Sequence, residues 1–263
     1  MQPVEIIRGD SPIILAMPHT GTYVPDAIWA DLNSLGQTLE DTDWHVHTLY
    51  DGLLADATSV RATFHRYVID ANRDPSGASL YPGQNTTQLC PTTDFEARPL
   101  YHDGKAPSEA QIEQRRLGFH APYHAALTAE IARVKELHGL AILYDCHSIQ
   151  SRKPYLFEGI LPDFNIGTYG GKTCHPILQT AVSNICADCS SMSSVVNGRF
   201  KGGWTTRHYG RPQDGVHAVQ MELTQSTYMD EQAPWDYKSE KANHIRPHLQ
   251  HILQTLEQLA KEI

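Results

Sequence analysis

Four short stretches of the chain are rich in apolar residues and bounded by turn or polar residues. They are Pro12–Met17 (PIILAM), Ala62–Asp70 (ATFHRYVID), Leu140–His147 (LAILYDCH) and Val216–Leu223 (VHAVQMEL). Each predicts a strand. Between them apolar positions recur at helical spacing. Val46, Leu49, Tyr50, Leu53 and Leu54 form one such set. Ser108-x-x-Gln111 reads as a capping-box start. The stretch behind it carries Ile112, Phe119, Tyr123, Leu127, Ile131, Val134 and Leu137 and stops at Gly139. Pro122 is expected to kink or divide that helix, because it lacks an N–H and clashes with the preceding turn. Ile245, Leu249, Ile252, Leu256, Leu259 and Ile263 mark a C-terminal amphipathic helix. Strands alternating with helices predict an α/β fold, a mixed, largely parallel central sheet flanked by helices. No repeat or linker divides the chain, so residues 1–263 are expected to form one domain. Residues 74–107 and 146–215 have little periodicity and much Gly, Pro, Ser and Thr. Loops of that length inside a compact domain usually carry function.

Composition narrows the class. Hydrophobic residues make up 40% of the 263, enough for an ordinary core, and the net charge is −9. A chain that must neutralise phosphates would carry the opposite sign, so nucleic acid is not an expected partner. The only apolar run near the N-terminus is Pro12–Met17, too short for a signal peptide or a membrane span. A cytoplasmic protein with no membrane partner is expected. Five cysteines cannot close into disulfides without remainder, and the lone Cys186-x-x-Cys189 reads as a pair of reduced structural thiols.

The chemistry gathers where the predicted strands end. His19, Asn72-Arg73, His147 and Glu222 all stand at or just past such an end. Ligands of open α/β sheets bind outside the carboxyl ends of the strands. Two imidazoles and one carboxylate form a common protein ligand set for catalytic zinc, so His19 and His147 are candidate metal ligands. Asp41 and Asp43 compete to supply the carboxylate. Asp43 shares the helical face of Val46 and Tyr50, whereas Asp41 could simply cap the helix. Glu222 closes the alternation Val216, Ala218, Gln220, Glu222 and is a candidate general base. Arg73 can grip a carboxylate through two parallel N–H bonds. A glycine-rich basic stretch, 197–212, adds Arg199, Lys201, Arg207 and Arg211, of which Arg207 and Arg211 are candidate substrate contacts. No serine-nucleophile elbow exists. Cys146 and Ser148 flank His147 in a strand and therefore point away from it.

The segments PHTGTYVP, DTDWHVHTLYD, RYVIDANRDPSG, LYPGQNTTQLCPTTDF, YHAALTAEI, LYDCHSI, GRFKGGWTTRHYG and AVQMELTQSTYMDE resemble, in this order, the N-formylglutamate amidohydrolase family. The resemblance implies metal-dependent hydrolysis of N-formyl-L-glutamate to formate and L-glutamate, a closing step of histidine degradation. It implies zinc or another divalent metal and a fold similar to zinc carboxypeptidases. By that likeness His19 and His147 would be ligands, with one of Asp41 and Asp43 completing the set. Glu222 would be the general base. Asn72 and Arg73 would hold a substrate carboxylate, Arg73 also lying near the oxyanion. The competing expectations are a metallo-amidase or peptidase acting on another N-acyl amino acid, and a non-catalytic binding protein for acidic small molecules.

Overall fold

The computed structural model describes residues 1–79 and 83–263. The first residues of the LYPGQ segment, 80–82, lie outside the described residues. A seven-stranded sheet organises the rest. Its strands are β1 (Val4–Ile7), β2 (Ile13–Met17), β3 (Thr58–Ala62), β4 (Ala141–Ile149), β5 (Phe164–Gly167), β6 (Ser194–Val196) and β7 (Val216–Thr224), in the spatial order β1-β3-β2-β4-β7-β5-β6. Strands β3, β2, β4 and β7 run parallel. β1 is antiparallel to β3 and β5 to β7, while β6 runs parallel to β5. The sheet is thus mixed and parallel at its centre, as the alternation of strands and helices predicts.

Alternation along the central strands sorts two cores. Ile13, Leu15, Met17, Ile142, Tyr144, Cys146, Val219 and Met221 face one side. There they meet α2 (Val46–Tyr50), α5 (Pro176–Ala187) and α7 (Ser239–Leu259), whose Ile245, Leu249, Ile252 and Leu256 are buried. Ile14, Ala16, Ala141, Leu143 and Ala218 face the other side, with Leu127 and Val134 of α4 (Ala121–His138). The short α1 (Asp26–Asp31) and α6 (Trp204–Tyr209) lie in the connections. Among the described residues no helix is long and apolar enough to cross a membrane. All five cysteines are free and buried.

Three local expectations need correction. The segment Ala62–Asp70 is not a strand. β3 ends at Ala62, and beyond it only Phe64 makes an isolated bridge, to Tyr23. Here His65 Nδ1 accepts the Tyr67 N–H (3.0 Å) and the Val68 N–H donates to the His65 carbonyl (2.9 Å), so a turn outcompetes the ladder. The apolar residues are buried all the same, which is why the run looks like a strand. β4 continues two residues past His147 to Ile149. Asp41 does not cap α2, whose N-cap is His45.

The capping box at Ser108 forms as expected and opens α3 (Glu109–Arg115). The division expected at Pro122 is present, between α3 and α4. Residues Arg116–His120 take a π-turn, and Pro122 falls in the first turn of α4. A wider turn just ahead of a residue with no N–H leaves less of the regular ladder to lose.

Candidate active site

The site grows out of the second face of the sheet. On β4 that face reads Ala141, Leu143, Asp145, His147, and on β7 it reads Ala218, Gln220, Glu222. Halfway along, it turns from apolar to polar while staying buried. Register sets Asp145 beside Gln220 and His147 beside Glu222. His19, just past β2, brings its ring to 5.0 Å from that of His147.

Asp43, from the loop before α2, lies between the two rings. Its Oδ2 is 3.0 Å from His147 Nδ1 and 3.7 Å from His19 Nδ1, and it accepts the Ser148 N–H (3.2 Å). The opposite ring nitrogens meet other acids. His19 Nε2 donates to Asp70 Oδ1 (2.6 Å), and His147 Nε2 lies 3.1 Å from Asp145 Oδ1. Arg66 donates to Asp70 Oδ2 (2.7 Å), and Thr206 Oγ1 donates to Asp145 Oδ2 (2.8 Å).

This arrangement asks for a cation. Carboxylates at the Nε2 positions favour protons there, leaving a lone pair on each Nδ1 turned toward Asp43. Lone pairs facing a carboxylate are tolerated only with positive charge between them. Donor atoms of His19, Asp43 and His147 lie within 4.8 Å of one another, and all three residues are buried. The donor set therefore fits a divalent metal. The same electrostatics act on the protons. Burial alone would raise Asp43 and Asp70, but His19 and His147 hold Asp43 down, and Arg66 and Arg73 hold Asp70 well below the carboxylate range. Burial alone would lower His147, yet Asp145 and Asp43 raise it well above the usual histidine value.

Glu222 is different. It is buried, with no direct ion pair among the described residues, and burial pushes its carboxyl up to about 8. Gln220 Nε2 donates to Glu222 Oε2 (3.1 Å), while Gln220 Oε1 accepts the Gly203 N–H (2.6 Å), which fixes the amide orientation. Asn72 Nδ2 is 3.1 Å from His147 Nε2, and Asn72 Oδ1 accepts the Thr205 N–H (2.8 Å). Gly203 has to be glycine: a Cβ there would sit 2.2 Å from Asn72 Nδ2.

These groups border a single cleft. Arg66, Arg73, Arg199 and Phe95 are also in its wall. Arg73 is braced by Thr87, donating to its carbonyl (3.1 Å) and hydroxyl (2.9 Å). Arg199 donates to the carbonyls of Leu156 (2.8 Å) and Asn85 (2.9 Å). Arg66 lies over the Phe95 ring (4.6 Å), and among the described residues its buried Nε finds no acceptor.

The structure thus brings together His19, Asp43, Asn72, Arg73, His147 and Glu222. It does not bring in Asp41, Arg207 or Arg211. Asp41 turns away to accept the Phe95 N–H (3.0 Å), and burial raises its carboxyl to about 7. Arg207 donates to the Gly202 carbonyl (2.7 Å) and lies over the Tyr169 ring (4.4 Å), outside the cavity wall. Arg211 pairs with Val216 at the start of β7, roughly 20 Å of strand from Glu222. Of the basic stretch it is Arg199 that reaches the cavity. Arg66, Asp70 and Asp145 escaped the sequence reading, although Asp145 stands two residues before His147 and strand periodicity alone puts both on one face.

The profile of the N-formylglutamate amidohydrolase family matches residues 11–229. The chain belongs to this family. Its relatives include an N-formylglutamate deformylase of Pseudomonas aeruginosa, 45% identical over 250 residues, covering 95% of this chain and 94% of the relative. A second, from Pseudomonas putida, is 44% identical over 250 residues and covers 95% and 93%. The crystal structure of an N-formylglutamate amidohydrolase from Ralstonia eutropha shares the fold, with a TM-score of 0.82 over 100% of this chain and 99% of that one, at 24% identity.

Proposed function

We propose that this family member hydrolyses N-formyl-L-glutamate to formate and L-glutamate in the cavity bordered by His19, Asp43, His147 and Glu222. The observation that carries the reading is the pairing of His147 with Glu222 across β4 and β7, beside a buried His–Asp–His donor set. The names of the Pseudomonas relatives support the substrate.

His19, Asp43 and His147 would hold a divalent metal, zinc by the chemistry of the donors. When bound, it would polarise the formyl carbonyl and acidify the attacking water. Glu222 takes the proton from that water and returns it to the departing amine. A carboxyl raised by burial suits both halves of that task, since neither protonation state is strongly favoured near neutrality. Gln220 keeps the carboxylate aimed by its amide bond. Asn72 lies against the Nε2 side of His147, its amide fixed by the Thr205 N–H. Arg73 and Arg199 bind the two carboxylates of the substrate, so that the formyl group is the one presented for attack. Phe95 and Phe200 supply apolar wall against the methylene chain.

The test is formate release from N-formyl-L-glutamate by the parent and by His147→Ala, with and without chelator. N-acetyl-L-glutamate and N-formyl-L-leucine serve as controls for the acyl group and the side chain. Formate release that is lost on chelation, lost in the variant and weak on both controls is expected. Undiminished release in chelator and in His147→Ala would end the reading.

A further inference from the structure

Behind the cavity stands a second histidine pair that the reaction does not touch. His120 closes the π-turn and His124 lies one turn into α4. Their rings are 4.3 Å apart. His120 Nε2 donates to the Arg73 carbonyl (3.0 Å), and His124 Nε2 donates to the Ala71 carbonyl (2.8 Å). These two carbonyls flank Asn72. The Tyr209 hydroxyl lies 3.0 Å from His124 Nδ1, which leaves that nitrogen as acceptor and Nε2 as the protonated one. Trp204 packs edge-on against His124 (4.6 Å), and the helix it opens gives the Thr205 N–H to Asn72.

We propose that His120 and His124 are positioning residues: they clamp the backbone on either side of Asn72 and so set the Asn72 amide against His147 and the Arg73 guanidinium in the cavity wall. The residues they hold belong to no strand, because β3 ends at Ala62. A loop that presents two binding groups needs fixing from outside. On one side Asp70 accepts the Asn72 N–H at its carboxylate (2.8 Å) and the Arg73 N–H at its carbonyl (3.2 Å). The two imidazoles supply the second side of the grip. Their i,i+4 spacing on one helix face matches two carbonyls two residues apart on the loop. The consequence for turnover rests on the function proposed above, but the clamp itself does not.

The experiment compares His124→Phe, which keeps a ring against Trp204 but removes the donor, with His124→Gln, whose amide N–H can reach the same carbonyl. Hydrogen exchange of the full-length protein is followed over residues 70–75, alongside metal content and the kinetics of formate release. In His124→Phe the Asn72 and Arg73 amides should exchange about tenfold faster, the scale of one buried hydrogen bond lost. KM for N-formyl-L-glutamate should rise about fivefold or more with metal content unchanged, and His124→Gln should restore both. Exchange that is unchanged over 70–75, that rises equally across the whole protein, or that is as fast in His124→Gln would overturn the clamp. Faster loop exchange with KM and kcat unaltered would overturn its positioning role. A parent that releases no formate would sink the proposed function instead, and the exchange comparison would then decide the clamp by itself.

Discussion

Two buried histidine pairs sit on either side of the Ala71–Arg73 loop, and they face different neighbours. His19 and His147 face Asp43, Asp70 and Asp145. His120 and His124 face backbone carbonyls. Burial disfavours charge on His147 and on His124 alike. Around His147 the carboxylates reverse that tendency and raise it, whereas at His124 burial, with His120 and His208 nearby, outweighs the Ala71 carbonyl and takes the ring down to about 3. By spacing alone the second pair is the more suggestive one, since His120 and His124 lie i,i+4 on a helix as many zinc pairs do. Yet among the described residues only His19, Asp43 and His147 form a group able to hold a metal. What separates a cation site from a structural brace is the acids within reach of the rings, not the number of rings.

The sharpest way to break this contrast is to remove one ring from each pair. His147→Ala, or chelation of the parent, should lower formate release by about 10³-fold or more and abolish a stoichiometry of about one metal per chain. His124→Phe should leave metal content intact, and metal analysis of the two purified variants checks both. Glu222→Gln then separates holding from chemistry. It should lower kcat by about 10²–10⁴-fold while the metal stays bound. Asp43→Asn and Asp41→Asn, two residues apart in the sequence, should diverge. The first should weaken metal binding by 10-fold or more, by loss of a charged donor, and the second should leave metal content unchanged, as competition with a chromogenic chelator would measure.

A fourth test concerns acid. Folded His124 titrates at about 3 against an ordinary value of 6.5. Between those values the unfolded chain binds a proton that the folded chain refuses. The stability this group contributes is therefore complete above about 6.5 and declines as pH falls toward 3, by at most about 1.4 kcal/mol per pH unit. His124→Gln removes the titration, so urea unfolding at pH 7 and pH 4.5 should show a smaller acid loss than in the parent. The smallest effect is expected at Arg211→Ala. With Arg211 at the far end of β7, KM should stay within about twofold of the parent value.

Much of the centre of this molecule is legible in the sequence. The runs that became β2, β4 and β7 are apolar, short and closed by polar residues, and both faces of the parallel centre are buried. His19, His147 and Glu222 follow from those strands directly. Asn72 and Arg73 reached the cavity by another route, since the run before them is a buried turn. Apolarity reports burial, and only hydrogen bonding, here diverted by His65, decides whether a buried run pairs as a strand. β5 and β6, four and three residues long, leave no periodicity to detect. The choice among Arg199, Arg207 and Arg211 was likewise beyond local reading, because the direction of each guanidinium is set by what the loop packs against. Spacing sets Asp43 on the face of Val46 and Tyr50 and offers Asp41 a capping role, without deciding between them. The tertiary neighbours, a pair of imidazoles for one and the Phe95 amide for the other, tell them apart.

Register between β4 and β7 has a consequence of its own. Sliding β7 by a single residue would set Met221 or Leu223 beside His147 and swing the Glu222 carboxylate toward the opposite core. Turnover and strand pairing depend on the same ladder of backbone bonds. Recovered activity after refolding would therefore count correctly aligned molecules, and a compact but slipped species would escape a size measurement yet register as dead enzyme.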